Sequence, residues 1–166
     1  MTESKQNTVL PPEEERFQVV LLGLVDNLIS IVTYLTSRGH KIIDVGVLTF
    51  GKGIIKNIDK KVLIRNLFDR SHKYWDKILE KKESFFIENA KDVFSEFDSK
   101  DVSPFALLFT AKDTEGKQLV SEANRETIWK IVHSMTKISI KYAAKNKLMD
   151  ASILAVHIKK WGVTTV

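Results

Sequence analysis

A chain of 166 residues, 43% hydrophobic and 28% charged, is long enough for one domain with a buried core. It has no cysteine, which excludes disulfide frameworks and thiolate metal sites, and its 7 glycines and 3 prolines favour helices over turn-rich folds. The net charge of +5 is a mild excess that favours an acidic partner surface without naming one.

Residues 1–10 read as a polar N-terminal tail, and 11–166 as a single helical-bundle domain. The opening MTESKQNT lacks the basic start and apolar run of a signal peptide, so an intracellular, cytoplasmic location is expected. Pro11-Pro12 followed by Glu13, Glu14 and Glu15 opens a helix, because proline suits the first turn and acids suit the positive end of the dipole. That helix is expected to run to Arg38 and stop at Gly39. Phe17, Leu21, Leu24, Leu28, Ile31 and Leu35 recur at alternating spacings of four and three, a helical seam. Val20, Val25, Ile29 and Val32 widen it almost all the way round. Such a helix is either central in a bundle or inserted in a membrane. The length suffices to span. However, roughly −5 kcal/mol from the apolar residues is cancelled by about +3 from Asp26 and at least as much from Asn27 and the other polar residues, which disfavours a membrane. Leu24, Leu28 and Ile31 are therefore expected at the centre of a bundle with the helices around Phe86–Val93 and Ile131–Ile138. Val25, Ile29 and Val32 are expected to face a further helix or another subunit.

The stretch HKIIDVGVLTFGKGIIKNI, residues 40–58, is irregular: Ile42 to Phe50 reads as a short strand or a broken helix, and strand or helix stays open over 42–58. Its GVLTFGKG core falls one residue short of the phosphate-binding pattern GxxxxGK followed by Ser or Thr. Gly53 stands where the Mg²⁺-binding hydroxyl belongs, and the bulky interior Val47-Leu48-Thr49-Phe50 resists curling around phosphates. The expectation is a glycine-punctuated connector whose apolar residues fold back on the bundle.

Asp59 can cap a short helix through Phe68. Ser71 can cap the next, expected to continue to Phe97 with Trp75, Leu79, Phe86, Ala90, Val93 and Phe97 inward. Ser103-Pro104 opens a short helix through Phe109, and Asp113-Thr114-Glu115-Gly116 is a turn. A last long helix runs from about Ser121 to Lys147, with Ile128, Ile131, Val132, Met135, Ile138 and Tyr142 inward and Asn146 as C-terminal cap. Residues 150–160 are a final apolar piece, helix or strand. Three long helices of roughly 26 residues, about 39 Å each, joined by short ones, make an all-α helix bundle.

Chemistry is sparse. His72 and Asp76 lie one turn apart, but a metal site needs three or four converging groups, so no metal and no cofactor are expected. Carboxylate pairs such as Glu80 and Glu83, or Asp92 and Glu96, lie among lysines on outer faces, where acid–base work is not supported. His133 and Ser134 are adjacent, so their side chains diverge on a helix. Lysines are more regular. Lys52, Lys56 and Lys60 recur every four residues, as do Lys73, Lys77 and Lys81, and Lys137, Lys141 and Lys145. Each triplet lies on one helical face, where like charges repel slightly, so a phosphate backbone or acidic surface is a candidate partner. Lysine is a point charge, which excludes base-specific reading. The pairs Tyr74-Trp75 and Phe85-Phe86, with Ile128-Trp129, point different ways on a helix. Tyr74, Trp75, Phe85 and Trp129, together with Val25 and Ile29, are the candidate interface residues.

The run His72-Lys73-Tyr74-Trp75-Asp76-Lys77-Ile78, with Glu83-Ser84-Phe85-Phe86 and the later Ile128-Trp129-Lys130, resembles short helical proteins of the nucleocytoplasmic large DNA viruses. The resemblance covers a minor part of the chain. It implies a virion or minor capsid component, and it carries no catalytic residues. The expectation is a non-enzymatic structural protein that binds other protein subunits, copies of itself included, within a larger assembly. The alternative is a basic helical module that binds nucleic acid without sequence preference.

Overall fold

The computed structural model describes residues 9–89 and 107–164. The first helix, α1 (Glu13–Ser37), begins after Pro12 with three glutamates in its first turn. It ends where Gly39 turns left-handed at φ 86° and the His40 N–H donates to the Leu35 carbonyl. Helix α2 (Val45–Asn57) resolves the open choice at residues 42–58. Asp44 caps it by accepting the Gly46 N–H at 2.7 Å, and burial of Leu48 outweighs the low propensity of its glycines. Asp59 caps α3 (Lys60–Ser71) through the N–H groups of Lys61 and Val62.

The long helix expected from Ser71 to Phe97 is broken. Ser71 ends α3 and makes no side-chain cap. His72–Tyr74 form a 3₁₀ turn, followed by the short α4 (Trp75–Leu79) and α5 (Glu83–Glu88). Between these two, Lys81 adopts φ 53°, a left-handed conformation uncommon outside glycine. The run Glu80-Lys81-Lys82 has no apolar residue to continue the seam, and the turn aims Glu83 at Arg125. Ala90, Val93, Phe97 and the expected Ser103-Pro104 helix start lie outside the described residues. Residues 107–110 are helical. The 113–116 turn is as expected: Asp113 accepts the N–H groups of Glu115 and Lys117, and Gly116 sits at φ 78°.

Ser121 caps α6 (Glu122–Asn146) through the Asn124 N–H at 3.2 Å. The C-terminal cap is Lys147, left-handed at φ 51°, whereas Asn146 remains helical. Asp150 accepts from the N–H groups of Ser152 and Ile153 and starts α7 (Ala151–Trp161), which resolves residues 150–160 as helix. The fold is all-α, with two long helices among the described residues instead of three.

Helix α1 packs on α6, α2 and α3, and α6 also packs on α7 and α4. By length and composition α1 is long and apolar enough to cross a membrane; it packs on α6, α2 and α3, with 17% of its most apolar stretch buried. Apolar residues gather in three clusters. Ile31, Val32 and Leu35 of α1 join Ile43, Leu48, Leu108 and Val120. Phe17, at the other end of α1, joins Leu63, Ile64 and Ile138. Phe68, Trp75, Ile78, Ile140, Ala143, Leu154 and Trp161 form the third. So α1 is deepest at its ends. Of the expected centre Ile31 is buried while Leu24 and Leu28 are half-buried, and Val32, expected on a second face, is buried beside Ile31. Phe86 joins the third cluster, which has no residue of α1. Helix α6 buries Thr136, Ile138, Ser139, Ile140 and Ala143, a wider face than the expected line, because it is contacted from more than one side.

One side chain ties the loops to this frame. Arg125 is buried and donates through Nε to the Val120 carbonyl at 3.2 Å, through a terminal nitrogen to the Phe109 carbonyl, and through the other to Glu83. Its guanidinium also lies over the Phe109 ring. Burial lowers its pKa, yet a guanidinium keeps its charge at any ordinary pH.

Candidate interaction surface

Of the aromatic interface candidates Trp75 is buried, and Tyr74, Phe85 and Trp129 are half-buried. Trp75 is 0% exposed. Its ring meets Phe68 at 5.7 Å and His157 at 5.2 Å. Tyr74 packs against Phe85 and Phe86, and Trp129 against Phe86 and His133. The 3₁₀ turn and the break at Lys81 let Tyr74, Trp75 and Phe86 meet in one cluster, with Phe85 against the rings of Tyr74 and Phe86. Ile29 is half-buried against the first cluster, and Val25 is half-buried too, so neither is an exposed anchor.

The histidines do not converge. His72 Nδ1 lies 3.0 Å from the Phe68 carbonyl, and His133 Nε2 lies 2.8 Å from the Ile78 carbonyl. Asp76 turns to Lys160 at 3.3 Å and to His157 at 3.9 Å, away from His72. Among the described residues no three His, Asp or Glu side chains come together as a metal site. Glu80 pairs with Lys82 and Glu83 with Arg125, so that carboxylate pair is divided between two cations. Asp92 and Glu96 lie outside the described residues.

The lysine triplets are largely absorbed by ties between helices. Lys52 meets Asp26 at 2.6 Å and Lys60 meets Glu15, both on α1. Lys81 meets Glu126 of α6 at 3.0 Å. Lys145 meets Glu13 at 3.2 Å. Burial pushes the Glu13 carboxyl up, but its own backbone N–H and the Lys145 ammonium outweigh this and hold it below the ordinary range. Lys73 lies over the Tyr74 ring and Lys77 over the Phe85 ring. Lys137 and Lys141, with Lys130 one heptad before Lys137, share an outer face of α6 and have no acidic partner among the described residues.

Exposed large apolar side chains are scattered over several elements, among them Val19 of α1 and Ile153 and Val156 of α7, and three of them line up on α2. The GVLTFGKG run is wholly inside this helix, so it cannot be the loop between strand and helix that wraps a phosphate. Leu48 and Ile55 turn inward, as expected of a segment folding back on the bundle. Val47, Phe50 and Ile54, spaced three and four apart, turn outward; Phe50 is 72% exposed. A shallow open groove runs along this face, lined by Thr49, Phe50, Gly53, Ile54, Asn57 and Ile58. Helix α2 carries no acid, and its two lysines stand outside the groove lining. The signal was present in the sequence as two interleaved apolar sets, but only the fold separates the covered set from the bare one. No family model, curated protein or solved structure matches the chain.

Proposed function

We propose that the chain is a non-enzymatic helical interaction subunit that docks onto protein through the outer face of α2. The carrying observation is the line Val47, Phe50 and Ile54, large apolar side chains at helical spacing on a helix already packed on its opposite side. Exposed aromatic residues beside an apolar groove suit a protein contact, where aromatic anchors dominate binding energy. The resemblance of the His72–Ile78 run favours a virion or minor capsid as the larger assembly, inside an intracellular setting. The test is to purify tagged wild-type chain and identify what accompanies it. Protein is the expected companion, lost on Phe50→Ser and kept on Lys137→Ser. Nucleic acid as the sole companion, or capture that ignores Phe50→Ser, overturns the reading.

A second reading rests on Lys130, Lys137 and Lys141, the lysines of α6 without an acidic partner among the described residues. Three phosphate contacts would give a binding constant falling with salt at a log–log slope of about −2 to −3. That slope, lost in a Lys137→Ser, Lys141→Ser double variant, is its signature in a filter-binding titration.

A further inference from the structure

We infer that α5 is a hinged strap, which swings about Lys81 between the closed position seen here on α6 and an open one in which α4 and α5 form a single straight helix. The inference is independent of what α2 binds.

Local preference and tertiary contact disagree at this hinge. From Ser71 to Glu88 the chain has no glycine and no proline, and Trp75, Leu79 and Phe86 keep helical spacing. No residue there bars a straight helix. The structure nevertheless ends α4 in a Schellman turn. The Lys81 N–H donates to the Ile78 carbonyl at 3.0 Å, and the Lys82 N–H donates to the Lys77 carbonyl at 3.1 Å. Glycine is the usual residue at the left-handed position of such a turn, and here Lys81 holds it at φ 53°. A lysine is strained there, because its Cβ crowds the following carbonyl oxygen. Strain of this kind persists only where surrounding contacts impose it, and straightening the helix relieves it.

The imposing contacts are few. Helix α5 has no buried residue and no side-chain cap at its start. Two ion pairs bring it to α6, Lys81 with Glu126 at 3.0 Å and Glu83 with Arg125. One turn beyond Glu83, Phe86 meets the ring of Trp129 at 6.2 Å, itself one turn beyond Arg125. Phe85 lies 6.0 Å from the Tyr74 ring, and Lys77 lies over its face. The strap is thus fastened by charge at its hinge and by half-buried rings along its length.

The two ion pairs respond differently to salt. Lys81 and Glu126 keep 41% and 49% of their side-chain exposure, so dissolved ions screen that tie. Arg125 keeps 10%, so its pair is screened less. The exposed tie stands at the strained residue itself. Weakening it removes one of the contacts that hold Lys81 left-handed, and the hinge is where a few dihedrals absorb the swing. The open position uncovers the Tyr74 and Trp129 rings and parts Arg125 from its carboxylate.

Pulsed electron spin resonance between labels on Ser84→Cys and Thr127→Cys measures the strap against α6. Both positions are exposed, and the chain has no cysteine of its own. One short distance is expected at low salt. A second, longer population should grow at about 1 M salt, where the screening length is about 3 Å. Lys81→Ala and Lys81→Gly both lose the Glu126 tie, but only glycine relieves the left-handed turn. Lys81→Ala should therefore raise the ratio of open to closed, and Lys81→Gly should lie at least about fivefold below Lys81→Ala. Lys81 is exposed and the salt series leaves it in place, so the result does not depend on one variant folding. A single distance unmoved by both salt and Lys81→Ala overturns the inference. Equal open populations in Lys81→Ala and Lys81→Gly overturn it too.

Discussion

Replacing Arg125 with methionine keeps most of the side-chain volume but removes every donor of a three-way tie. The guanidinium holds the Val120 carbonyl, the Phe109 carbonyl and the Glu83 carboxylate together. Breaking a buried ion pair from one side costs about 3–5 kcal/mol. Glu83 retains 30% side-chain exposure, so water recovers part of that carboxylate's solvation. The two carbonyls are a separate loss, at about 1–3 kcal/mol for each that stays unsatisfied. With that solvation leaving about 1–2 kcal/mol for the ion pair and the two carbonyls adding about 2–3 together, a net loss of about 3–5 kcal/mol follows, roughly 6–20 °C in Tm for a chain of this size. Arg125→Lys should recover little, because a point charge cannot reach three acceptors at once. Glu83→Gln should cost less than Arg125→Met, since the amide oxygen still accepts. The measurement is urea unfolding followed by circular dichroism and tryptophan fluorescence. Arg125→Met within about 0.5 kcal/mol of wild type, the range of ordinary surface substitutions, would refute the assignment of Arg125 as the tie.

Two further predictions concern the helix start and the core. The hydroxyl of Ser152 and the N–H groups of Ile153 and Ser152 hold the Asp150 carboxyl below its usual range. The folded pKa is thus below the unfolded one, so the cap's contribution is full above the ordinary Asp range near 4 and drains as pH falls through it. The protection factors of the α7 amides, exchange rates referred to the unstructured rate at the same pH, should fall on that acid limb in wild type, and already be lower at neutral pH in Asp150→Ala. Ile64→Ala, at a site with 0% exposure, should cost about 2–5 kcal/mol. Leu28→Ala should cost about 1–2 kcal/mol, because a half-exposed side chain has less transfer energy to lose. Parallel urea titrations compare the two.

Local signals in the sequence were readable where a cap and its helix are neighbours. The Asp59 cap and the Gly39 stop are of this kind, and the all-α class follows from the same helical spacings. Asp44 was missed because three glycines in the following helix lower its propensity, and only the burial of Leu48 and Ile55 overcomes that. The break at Lys81 has no local marker. It follows from Trp75 entering a cluster with α6 and α7, and from Glu83 reaching Arg125, 42 residues on. The lysine triplets misled for the same reason. Lys81 finds its acid 45 residues away and Lys145 finds one 132 residues away, distances at which no periodicity gives warning. The sequence marks Tyr74, Trp75, Phe85, Trp129, Val25 and Ile29 as interface candidates, yet the exposed Phe50 lies outside that set. Composition alone cannot tell which of two apolar faces the rest of the molecule covers.

Helix α6 contributes to all three clusters, through Ile128, through Ile138, and through Ile140 with Ala143. Helix α1 reaches only two, and α7 only the aromatic one. The molecule is therefore wired like a spindle with unequal attachments. Detaching α7 uncovers one cluster and leaves the α1–α6 pair clamped at two others. Disturbing α6 reaches everything at once. Partial opening under mild stress consequently begins at the C-terminal helix, with the α1–α6 pair as the last unit to exchange its amides.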